Sequence, residues 1–173
     1  MLALKYKKPF EKDVDIHQIF NHINNGSLLK IIYDQIEIGE WDKETNTRIM
    51  HSRLLSVNHE YYTNILNSII KTDFSKLKYK IIQEKPYIDK KHKLIIPTYT
   101  TLENSLMKLV FNKFEIYNVI IISKNKFKAK ATIKYDLKYK LFTSTFEDMM
   151  TKNYMKLISY YAEKVENNDG LIM

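Results

Sequence analysis

From Lys126 to Lys140 the chain alternates without a break: Phe127, Ala129, Ala131, Ile133, Tyr135, Leu137 and Tyr139 are apolar or aromatic, and every residue between them is Lys, Thr or Asp. Successive side chains of a strand point to opposite faces, so a period of two over this length specifies one extended strand with a dry face and a wet one. No helix accommodates it. At roughly 3.3 Å per residue the run spans on the order of 45 Å, against a usual strand of about 5–6 residues. Such a strand requires long neighbours and a cover for its apolar side. The next segment offers the cover: Ser144 with Glu147 three residues on has the form of a capping box, and Phe146, Met150, Tyr154, Leu157, Tyr161 and Val165 follow at helical spacing, with Met149 and Ile158 beside them. The pattern predicts an amphipathic helix of about 20 residues whose apolar face must be buried.

The remainder reads as the rest of a sheet. Leu2 to Phe10 alternates loosely as a first strand with Pro9 near its end, where a missing N–H is tolerated. Asp15, with Gln18 three residues on, caps a helix carrying Ile16, Ile19, Phe20 and Ile23; after Asn24-Asn25-Gly26, Ser27 caps a second short helix with Leu28, Leu29, Ile31 and Ile32. Ile36 to Trp41 and Thr47 to Val57 form a hairpin across the turn Asp42 to Asn46, and Asn58 to Ile70 regains helical spacing. Lys76 to Tyr87, Lys93 to Leu102 and Met107 to Ser123 are further strands, with a turn at Asp89 to His92 and a slip in alternation near Lys113 that marks a bulge. With no repeat and no linker rich in Pro, Gly or Ser, residues 1–173 read as one domain with a frayed tail over 167–173.

The element order, strand, two short helices, two strands, a helix, four strands and a long final helix, resembles the helix-grip fold of the START-like superfamily. That superfamily holds lipid-transfer domains, polyketide cyclases and plant hydrophobe-binding proteins. The resemblance covers Leu2 to Glu166. It implies an α+β domain in which a seven-stranded curved antiparallel sheet wraps around the C-terminal helix. It also implies a cavity between the two for a lipid or similar hydrophobic ligand, walled by Trp41, Tyr79, Ile81, Tyr117, Ile133, Tyr135, Phe146, Met150, Tyr154 and Tyr161. Tyrosine suits such a wall, since its ring is apolar and its hydroxyl orients a polar end. The same residues also read as plain core packing. The glycine-rich loop of the plant members has no counterpart, because Gly26, Gly39 and Gly170 are the only glycines.

Composition bounds the chemistry. At 173 residues and 45% hydrophobic content the chain can bury a real core. Without cysteine, thiolate catalysis, disulfides and Cys-ligated zinc are excluded. The longest apolar runs, such as Val119 to Ile122, fall far short of the roughly 20 residues that cross a bilayer, and Met1 to Pro9 lacks the pattern of a signal peptide. These features lead to the expectation of a soluble intracellular, cytoplasmic protein. No phosphate loop, dinucleotide fingerprint or nucleophile elbow is present. His17, His22, His51, His59 and His92 lack metal-ligand spacing, and Glu37, Glu40, Asp42 and Glu44 near Arg48 and Arg53 read as a solvated turn. No cofactor, metal or catalytic residue is expected, and an enzyme is the less favoured reading.

The net charge of +8 invites a polyanion partner. Lys126, Lys128, Lys130, Lys134, Lys138 and Lys140, with Lys76, Lys78 and Lys80 on another strand, form the best basic patch. It would contact an anionic membrane surface, or nucleic acid in the alternative reading. The plainer account of the same lysines is solvation of a strand face and protection from edge pairing. Arg48 and Arg53 are the only arginines, and the wealth of Lys, Ile, Asn and Tyr fits A/T-rich coding in a large DNA virus, a protist parasite or a low-GC bacterium. A structural or interaction protein without a pocket is the third reading.

Overall fold

In the computed structural model, residues 1–33, 36–53, 78–102 and 110–167 are described. The strands are β1 (Leu2–Pro9), β2 (Glu37–Ile38), β3 (Thr47–Arg53), β4 (Lys78–Glu84), β5 (Tyr87–Ile88), β6 (Leu94–Leu102), β7 (Phe111–Ser123) and β8 (Lys126–Leu137). The helices are α1 (Ile16–Asn24), α2 (Ser27–Ile32) and α3 (Thr143–Glu166). All pairing is antiparallel, in the order β1-β8-β7-β6-β4-β3-β2, with β5 beside β6. The expected helix over Asn58 to Ile70, the starts of the strands at Lys76 and Met107 and the end of the tail lie outside the described residues.

The long alternating strand forms, and its odd positions Phe127, Ala129, Ala131, Ile133 and Leu137 are buried. It stops short of Lys140. After Leu137 the backbone N–H of Lys138 donates to Val110 O at 2.8 Å, and Lys140–Phe142 turns into a short 3-10 segment that starts α3. Neither expected serine cap forms. α3 begins at Thr143 with no side-chain cap, and Glu147 instead accepts from the Tyr135 hydroxyl. Gly26, with a left-handed φ of 83°, occupies the N-cap position before α2, while the Ser27 hydroxyl reaches back to His22 O at 3.3 Å. A Cβ at Gly26 would stand 2.9 Å from Ile38 Cδ1, so glycine fits there for space as well as for φ. Asp15 does cap α1, accepting from the N–H groups of His17 at 3.0 Å and Gln18 at 3.2 Å.

α3 lies on the inner face of the sheet and also touches α2. Tyr161 meets Phe127 with ring centroids 5.8 Å apart, and Phe146 meets Tyr135 at 4.6 Å and Phe111 at 5.2 Å. The far end of α3 is tied to β1 by Glu166, which accepts from Glu11 N–H at 2.6 Å and pairs with Lys8 at 3.2 Å. The Glu11 N–H, with help from Lys8, holds the Glu166 carboxyl below its ordinary value of 4.5. A depressed folded-state pKa contributes stability that is present above the unfolded value and lost as pH falls through the folded one. Glu166→Gln is therefore expected to lower stability at neutral pH and to flatten its acid-side decline, read by urea unfolding at a series of pH values between neutrality and the acid limb.

Candidate ligand-binding site

The sheet and α3 do not close completely. A cavity of about 60 Å³ remains between β3, β4, β6, β7 and β8 on one side and α3 on the other, with Tyr33 at the end of α2 completing the wall. Its apolar lining comes from Ile81, Ile116, Ile133, Met150, Leu157 and Ile158. Its polar lining comes from Ser52, Thr98, Thr100, Asn118, Asn153 and the hydroxyls of Tyr33, Tyr79 and Tyr154.

Strand parity puts the polar groups there. Arg48, Met50 and Ser52 on β3 alternate inward, as do Tyr79, Ile81 and Gln83 on β4. On β7 the register shifts between Phe111 and Lys113, so inward positions change from odd to even and Asn118 turns toward the helix. Tyr154 then donates to Asn118 Oδ1 at 2.9 Å, and Thr98 Oγ1 donates to Asn118 O at 3.5 Å. Ser52 Oγ is buried with no hydrogen-bond partner among the described residues. An unpartnered buried hydroxyl costs on the order of 1–3 kcal/mol, so this atom is a ready anchor for a polar group entering the cavity.

The titratable groups lining the cavity are tyrosines. Burial pushes the Tyr33 hydroxyl up to about 12. Burial raises Tyr79 and Tyr154 as well, each reinforced by Tyr33 nearby. At neutral pH all three are neutral donors and acceptors. An uncharged polar group inside the cavity would meet these hydroxyls, whereas an ion would find no opposite charge among the lining residues.

Of the residues expected in the wall, the structure brings together Tyr79, Ile81, Ile133, Met150 and Tyr154. Tyr117 is on the other side of the sheet, 44% exposed, because the extra residue at the β7 bulge reverses its direction. Trp41 is held at the first hairpin: its Nε1 donates to Asn24 O at 3.2 Å, and the Arg48 guanidinium lies 4.2 Å from its ring centroid. Tyr135 and Phe146 belong to an aromatic cluster with Phe111 and Phe114, and Tyr161 is buried against Phe127. Burial raises the Tyr161 hydroxyl well above its ordinary value. Ser52, Thr98, Thr100 and Asn118 escaped sequence reasoning, which assigns small polar residues of a strand to water; Tyr33 at the end of α2 and the polar Asn153 on α3 escaped it as well. The bulge near Lys113 was the one available signal, since carrying its parity forward turns Asn118 inward.

The lysine row divides. Lys126, Lys128, Lys130 and Lys134 occupy outward positions of β8, whereas Lys138 and Lys140 lie past its end and Lys140 pairs with Asp136. Lys80 is on the outer face of β4, and Lys76 lies outside the described residues. Among the described residues, no three His, Asp or Glu side chains gather as metal ligands, and no helix is long and apolar enough to cross a membrane.

This architecture, an antiparallel sheet packed against one long C-terminal helix, is a helix grip. Solved structures share it end to end. A protein from Thermus thermophilus aligns over 96% of this chain and 95% of its own with a TM-score of 0.53 and 10% identity. A conserved protein from Geobacillus kaustophilus aligns over 96% and 94% at 0.55 and 11%. Norcoclaurine synthase from Thalictrum flavum, in complex with dopamine and hydroxybenzaldehyde, aligns over 99% and 88% at 0.51 and 12%. No family model and no curated protein matches the sequence.

Proposed function

We propose that the protein binds an uncharged hydrophobic molecule with at least one polar group, as a carrier or shield without chemistry of its own, in the cavity between the sheet and α3. The carrying observation is the mixed lining: a greasy floor of Ile81, Ile116 and Ile133 beside the Ser52 hydroxyl, which has no partner among the described residues, and the tyrosine hydroxyls. Pockets that enclose drug-sized ligands measure about 300–1,000 Å³, so the 60 Å³ space must widen on binding. Met150 is the side chain to give way, being unbranched with three rotatable bonds. The geometry favours a compact ring-bearing ligand over a long acyl chain. Dopamine and hydroxybenzaldehyde, held by norcoclaurine synthase, are small aromatic molecules bearing polar groups.

Native mass spectrometry of the purified protein, with solvent extraction of anything it carries, tests the reading. A bound neutral molecule is expected, and Met150→Trp, which fills the cavity, is expected to abolish its retention at a folding cost of about 1–3 kcal/mol. Protein that emerges empty, and whose melting temperature is unmoved by a panel of phenols, aromatic aldehydes and fatty alcohols, would overturn the proposal in favour of a pocketless interaction domain.

A further inference from the structure

The outer face of the sheet carries two features that the cavity does not explain. One is an apolar row across four strands: Ile49, Ile82, Tyr99 and Tyr117 are register partners on β3, β4, β6 and β7. Ile49 is 43% exposed and Tyr117 44%, and the rings of Tyr99 and Tyr117 lie 4.9 Å apart. The other is a ladder of lysines beside it. Lys128 stands opposite Lys7 and Lys130 opposite Lys5 across the β8–β1 pair. Like charges directly opposite on neighbouring strands destabilise a sheet. The strain registers at Lys128, whose pKa is lowered by Lys126 first, then Lys7, with Lys93 and Lys130 contributing. No carboxylate interrupts the outward positions of β1 or those of β8 from Lys126 to Lys134.

We propose that this outer face binds single-stranded nucleic acid, its phosphates following the lysine ladder of β8 and β1 and its bases stacking on Tyr99 and Tyr117. Outward lysines two residues apart on a strand repeat at roughly 6.6 Å, which makes a linear track for a chain of regularly spaced charges. A positive track flanked by aromatic platforms is the arrangement that holds single strands without reading sequence. Lys134 joins the two halves, its Nζ lying 5.4 Å from the Tyr117 ring centroid. Glu115, which accepts from Tyr117 and pairs with Lys113, closes the track at that end. A flexible single strand can follow the twist of a sheet. Lysines supply point charges rather than the planar forks that read guanine, so binding is sequence-tolerant. This inference is independent of the cavity.

Fluorescence anisotropy with labelled oligo-dT and oligo-U of about 20 nucleotides, at about 50 mM and about 200 mM salt, tests it, with a duplex of equal length and vesicles of phosphatidylcholine and phosphatidylserine as parallel arms. Both oligonucleotides are expected to bind more tightly than the duplex, with affinity falling steeply at the higher salt. The double variant Lys128→Gln, Lys130→Gln is expected to reduce the log–log salt slope by about 1.4. Tyr117→Ser is expected to weaken binding about tenfold while leaving that slope unchanged. No binding at the lower salt, binding to vesicles alone, or an unchanged affinity in Tyr117→Ser would each overturn the proposal.

Discussion

Phe127→Ala is expected to destabilise the protein by about 3–5 kcal/mol, enough to unfold a marginal domain. Phe127 is fully buried on β8, edge-on to Tyr6 at 6.0 Å and against Tyr161 at 5.8 Å, so its ring joins β1, β8 and α3. Truncation removes the transfer energy of the ring and leaves a void that three packed elements cannot jointly close. Lys128→Ala, one residue on and facing water, is expected to shift stability by no more than about 0.5 kcal/mol. Urea unfolding of both variants measures the difference. Equal effects would mean that the two faces of β8 had been assigned wrongly.

Arg48→Met is expected to cost about 3 kcal/mol or more. Arg48 is 3% exposed and reaches the C-terminal end of α1. Its Nη2 donates to Ile23 O at 2.6 Å, Nη1 to Asn24 O at 2.8 Å and Nε to Gln83 Oε1 at 2.8 Å. A cation at a helix C-terminus satisfies carbonyls the helix itself leaves open and meets the negative end of its dipole. Burial lowers the Arg48 pKa to about 10, which the neighbouring Tyr161 partly offsets, so the group remains charged at neutral pH. Methionine matches much of the volume and none of the donors. Arg48→Lys is expected to recover only part of the loss, because one ammonium cannot serve three acceptors in a planar fork. Full stability in Arg48→Lys, measured in the same urea series, would show that charge alone suffices.

The two elements that define the fold were legible because each repeats one signal many times. β8 displays its period of two from Lys126 to Leu137, and α3 places Phe146, Met150, Tyr154, Ile158 and Tyr161 on one buried face. Signals made once were weaker. Ser144 and Ser27 are each a single hydroxyl, and neither became the cap because Glu147 bonds Tyr135 and the Ser27 hydroxyl bonds His22. Trp41 and Tyr161 have the chemistry of a pocket wall, yet nothing in their local sequence tells whether a ring meets a cavity or another side chain. The polar half of the cavity was hidden for a related reason. Ser52, Thr98 and Asn118 sit on strands that carry apolar side chains outward as well, Ile49, Tyr99 and Tyr117 among them, so only tertiary packing decides which face each joins.

The extra residue near Asn112 governs more than its own turn of backbone. Ahead of it Phe111 faces α3; beyond it the odd positions Tyr117, Val119 and Ile121 face away, and Asn118 and Ile120 take the inner side. A single inserted amino acid therefore divides β7 between two surfaces, giving Asn118 to the interior recess and Tyr117 to the opposite side. A descendant of this chain that lost that residue would exchange the two sets at a stroke, so its interior and its exterior are bound to evolve together.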